Sequence, residues 1–110
     1  MSKNKQYKLG FFQSHLSIVR ILTIYTKNMP ISEIRTMIMA EIKSTGVENI
    51  NINERNYENN TALILLVDRG DISLLQEVLN IFKNTINLLL KNNEGCSALD
   101  LAVLKIILNA

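Results

Sequence analysis

Tryptophan is absent from this 110-residue chain, and cysteine, histidine and proline occur once each, as Cys96, His15 and Pro30. A single cysteine excludes an intramolecular disulfide framework, so the expected setting is a reducing, cytoplasmic one. One His and one Cys, 81 positions apart, cannot supply the four ligands of a structural zinc site. Cys96 is therefore read as a small loop or core residue. The four glycines, Gly10, Gly46, Gly70 and Gly95, stand apart, and none introduces a Lys-Ser or Lys-Thr pair, so a phosphate-binding loop is missing. No local signature supports a Cys/His nucleophile, and the carboxylates are scattered. The expectation is a protein without catalytic residues, bound cofactor or metal.

Acidic residues are missing from the first 32 positions, which carry Lys3, Lys5, Lys8, Arg20 and Lys27. That segment has a formal charge of +5 and the remainder −3. A basic, acid-free start suits nucleic acid or an anionic surface, and equally a solvated terminus. Long apolar runs are also lacking. Residues 9–27 are broken by Gln13, Ser14, His15, Ser17 and Arg20, whereas a spanning helix needs about 20 consecutive apolar residues. Arg at a bilayer centre costs about 2.5 kcal/mol or more, so no membrane association is expected.

What the chain does hold is aliphatic residues in quantity: 47% is hydrophobic and only 5% aromatic, so Leu, Ile, Val and Met must build the core. Asn, Ile and Lys are abundant, as an AT-rich genome would produce, a bias that implies no function. Helical spacing predicts five helices. The first covers residues 11–25, with stripes Phe12, Leu16, Val19 and Ile18, Leu22, Tyr25, broad enough for burial on most sides. Pro30 ends it. Ser32 is the expected N-cap of a second helix with Ile34, Met37, Ile38 and Ile42 on one face, closed by Gly46 in a left-handed conformation. These two helices form a hairpin over residues 11–46.

A polar, Asn-rich loop is expected over residues 48–60. Two short helices follow: residues 61–69, then a stripe of Leu74, Leu75, Val78, Leu79 and Phe82, with Gly70 in the turn between them and Asp71 as cap. Gly70 is expected at positive φ. A second polar loop, Lys91 to Gly95, precedes a last helix opened by Ser97. That helix carries Leu101, Leu104, Ile106, Ile107 and Leu108 on more than one face and has no second-helix mate before Ala110. Self-association through it is expected.

Asn59-Asn60-Thr61-Ala62-Leu63 matches Gly95-Cys96-Ser97-Ala98-Leu99 at a spacing of 36. Ile52-Asn53 and Asn56 precede the first copy, Ile86-Asn87 the second, while Leu66-Val67, Gly70-Asp71, Leu74-Leu75 and Val78-Leu79 follow the first. This pattern resembles the ankyrin repeat, whose period is about 33 residues. The resemblance implies an all-α stack of helix-turn-helix repeats, with one repeat at 50–83 and a partial one at 84–110. Residues 14–22 resemble the start of the family's second helix, but lie 56 positions before the corresponding Asp71, so the first third is a degenerate repeat or an unrelated helical cap. The family's His after Leu is Ile64 in one copy and Asp100 in the other, and Leu66-Val67 are larger than the usual small pair.

The resemblance implies a protein-interaction module, an effector or adaptor, that binds another protein through loop tips and first helices. The residues expected to carry that binding are Arg55, Tyr57 and Glu58 in the first loop and Asn92, Asn93 and Glu94 in the second; Tyr and Arg are the types enriched at binding hot spots. A rival role for Tyr57 is a plug packed back onto the helices. The alternative function is nucleic-acid binding through the basic first third, opposed by Glu33 and Glu41 on the second helix and by the small net charge of +2.

Overall fold

The computed structural model describes residues 16–25 and 28–109. Helix α1 spans Ile18–Tyr25, α2 Ile31–Thr45, α3 Ala62–Arg69, α4 Ile72–Ile81 and α5 Ala98–Asn109, with a 3-10 turn at Val47–Asn49. The fold is all-helical, and no strand occurs among the described residues. Phe12 and the basic Lys3, Lys5, Lys8 and Lys27 lie outside them, as does the expected start of the first helix.

α1 packs against α2 and α3, and α3 packs against α4 and α5. A row of α1, α3 and α5 therefore runs through the molecule, with α2 and α4 each attached to the helix before it. α1 comes first in its pair and sits in the row. Burial explains this. Ile18, Val19, Ile21 and Leu22 are all buried, because α1 is covered by α2 on one side and α3 on the other. Ile34 and Ile38 of α2, Ala62 and Leu66 of α3, Leu74 and Val78 of α4, and Ile52 and Phe82 from outside the helices belong to the same core. Removing the larger of these side chains from water stabilises by about 1.5–3 kcal/mol each.

The helix termini follow local chemistry, with two corrections. α2 starts at Ile31, not after Ser32. Pro30 takes the cap position at φ −59°, and its carbonyl accepts from the Glu33 and Ile34 amides at 3.0 and 3.2 Å. Proline has no N–H to leave unsatisfied there, and its φ suits a helix start. Asp71 occupies the cap position of α4 but makes no capping bond. Its carboxylate pairs instead with the Arg69 guanidinium. Arg69 also donates to the Met29 carbonyl at 3.2 Å, so this one side chain ties the α3–α4 turn to the α1–α2 connection. α2 does end before Gly46, although φ 90° and ψ 134° lie outside the left-handed helical region.

Gly70 adopts φ 82° and ψ 17°, and its amide donates to the Leu66 and Val67 carbonyls. A Cβ placed there would meet nothing within 4 Å, so any penalty is purely one of backbone conformation. Gly70→Val is expected to lower stability by about 1–2 kcal/mol. An unchanged midpoint in chemical denaturation would contradict the left-handed turn.

Candidate protein-binding surface

The two polar loops are built alike, position for position, 36 residues apart. The Asn51 side chain accepts from the Asn53 amide at 3.0 Å, and Asn87 accepts from the Leu89 amide at 2.9 Å. Asn56 Oδ1 accepts from the amides of Glu58 and Asn60 at 2.9 and 3.0 Å. Asn92 Oδ1 does the same for Glu94 and Cys96, both at 3.0 Å. The Asn56 amide donates to the Asn60 carbonyl, as Asn92 does to Cys96. Asn59 at φ 62° and Gly95 at φ 78° occupy equivalent places. Asn is the side chain that best tolerates that region after glycine.

Each loop then delivers the chain into a capped helix. Thr61 Oγ1 accepts from the Ile64 amide at 3.2 Å. Ser97 Oγ accepts from the Asp100 amide at 3.0 Å while the Asp100 carboxylate accepts from the Ser97 amide at 2.9 Å, a reciprocal capping box. The Ser97 amide, and then Lys91 at 3.2 Å, hold the Asp100 carboxyl below the usual aspartate range. This equivalence corrects the sequence alignment: Ile86-Asn87 corresponds to Ile50-Asn51, not to Ile52-Asn53. Ile52 is instead a buried core residue, and Asn53 bridges the two units, accepting from the Asn87 amide at 2.8 Å and donating to the Thr85 carbonyl at 2.9 Å.

The tips are joined to each other and to the helical row. The Asn93 amide donates to the Glu58 carbonyl at 3.0 Å, and Asn59 Nδ2 to Asn93 Oδ1 at 2.8 Å. Asn92 Nδ2 reaches back to Asn60 Oδ1 at 2.8 Å, and Asn56 Nδ2 to Thr23 Oγ1 of α1 at 2.9 Å. The structure thus brings residues 54–58 and 92–94 together into one continuous edge. It also sorts the expected binding residues. Arg55, Glu58, Asn93 and Glu94 are exposed, and Tyr57 is 82% exposed, so it is not a plug. Asn92 is half-buried, and its side chain is committed to holding the loop.

Between this edge and the helical row lie two open hollows of about 380 and 430 Å³ that share Thr23, Ile24, Asn56 and Tyr57. The first adds Arg20, Glu54 and Arg55, the second Asn28, Glu58 and Leu65. Arg20 and Ile24 are both exposed and lie four residues apart on α1. From sequence, Arg20 counts only as one of the basic residues of the first third and Ile24 is not singled out, because helical spacing predicts α1 buried on most sides. The available signal was that neither residue falls on the two apolar stripes. Comparison with family models, with curated proteins and with solved structures finds no match to this chain.

Proposed function

We propose that this protein is a non-catalytic protein-interaction module of the ankyrin-repeat type, binding its partner along the edge formed by residues 54–58 and 92–94 and the hollows beneath it. One observation carries the reading: two loops, 36 residues apart, repeat the same Asn-centred hydrogen bonds and present their tips beside a row of stacked helices. In a repeat stack, each unit packs on its neighbours, and the aligned units present one extended binding surface. An exposed tyrosine and arginine above an open hollow supply the anchors that interfaces favour. The experiment is site-specific photo-crosslinking in the source cell, from position 57 and from Thr36, an exposed residue of α2. The reading expects a discrete crosslinked protein from position 57 only. Crosslinking from position 36 alone, or indiscriminately from both, would overturn it.

A second reading, also proposed, adds self-association through α5. Leu99, Val103, Leu104, Ile106, Ile107 and Leu108 are all exposed on this helix, a contiguous apolar surface of the kind that marks an interface. Two copies can cover each other's α5 through one self-complementary patch. Sedimentation equilibrium is expected to give a mass that rises towards the dimer with concentration, and Ile106→Glu is expected to abolish the rise. A strict monomer at high concentration would contradict this reading.

A further inference from the structure

We propose that the hollow between α1 and the first loop selects a partner segment presenting a carboxylate side chain next to an apolar one; the inference rests on the protein-binding reading above. The four arginines among the described residues divide into two pairs. Arg35 is held by Glu77 in a two-pronged contact at 2.7 and 2.6 Å, and Arg69 is paired with Asp71. Arg20 and Arg55 are exposed and make no ion pair among the described residues, and both line the same hollow. They come from different elements, one from α1 and one from the loop, so the fold itself sets them around one space. Ile24, 55% exposed, and Tyr57 supply the apolar wall.

Guanidinium groups bind carboxylates through paired, directional N–H donors, and a partly enclosed site weakens competition from water. The one carboxylate lining this hollow, Glu54, accepts from Ser17 Oγ at 3.2 Å. The surroundings favour an isolated acidic side chain over a nucleic acid. Glu54 lines this hollow and Glu58 the adjoining one. A phosphate chain long enough to cross both hollows would meet Glu54 and Glu58 in turn, whereas a single carboxylate side chain can settle against the two arginines.

Fluorescent nonapeptide pools test this directly. Each pool carries a fixed central residue, Glu, Gln or Lys, followed by Leu, and is otherwise randomised over uncharged residues. By fluorescence anisotropy the Glu pool is expected to bind at least about tenfold more tightly than the Gln pool. Arg20→Ala with Arg55→Ala should erase that difference, and Arg20→Glu with Arg55→Glu should transfer the preference to the Lys pool. Equal binding of the Glu and Gln pools, a preference surviving in the double alanine variant, or no binding by any pool overturns the inference. Displacement of the Glu pool by an oligothymidylate also overturns it, in favour of nucleic acid. Equal binding of the Glu and Gln pools that Tyr57→Ala abolishes would sink the carboxylate specificity alone and leave the docking surface standing.

Discussion

Arg55→Ala combined with Tyr57→Ala is expected to weaken partner binding by about thirtyfold or more while moving the melting temperature by no more than about 3 °C. The two effects separate because neither side chain takes part in the fold. Tyr57 is 82% exposed, and Arg55 makes no ion pair among the described residues. The backbone of this tip is held from elsewhere, by Asn56 Oδ1 and by the Asn93 amide on the Glu58 carbonyl. A variant whose stability falls sharply, and whose folded fraction binds normally, would remove this tip as the site. Isothermal titration and thermal denaturation on the same preparation give both quantities.

The second large effect is expected at Asn56, with the opposite signature. Asn56→Ala strips the acceptor from two backbone amides and the donor from Thr23, and is expected to cost about 2 kcal/mol or more. For a chain of this size that lowers the melting temperature by roughly 10 °C. Asn56→Asp keeps the acceptor for both amides and loses only the bond to Thr23, so its cost should be nearer 1 kcal/mol. Equal stability of the two variants would contradict the role assigned to the acceptor oxygen. Asn92→Ala should behave as Asn56→Ala does, since it occupies the equivalent position in the second loop.

Those asparagines also mark where sequence reasoning stopped short. The five helices were legible because aliphatic periodicity is strong. Ile34 and Ile38, Leu74 and Val78 are buried where helical spacing puts them. Gly70 was legible because a two-residue connection between helices calls for positive φ. The loops were less so. Abundant Asn reads as a compositional bias or a generic turn signal, and its side chain gives no hint of which amides it will accept from. The signal lay in the spacing: Asn51 and Asn87, and Asn56 and Asn92, share the interval of 36 that separates Thr61 from Ser97. Ser97-x-x-Asp100 likewise has the form of a reciprocal cap. Ile52 sits in a stretch whose composition predicts a polar loop, yet it is buried as a member of the main core.

For the surface, the exposed tip was legible from polarity and turn formers, and Arg55 and Tyr57 are exposed as expected. What lies beneath them was not. Arg20 and Ile24 meet the tip only through the packing of α1 in the helical row and the bond from Asn56 to Thr23. A contact across 33 positions of chain leaves no local trace in the sequence.

The central claim, that one edge of this molecule is a protein-docking surface, is tested most directly by amide hydrogen exchange on the partner complex isolated by crosslinking from position 57. Exchange reports protection residue by residue along the backbone. The account predicts added protection over residues 20–24, 54–58 and 92–94, with α2 unchanged between free and bound protein. Protection confined to α2 and α4, with the two tips exchanging as in the free protein, would contradict it.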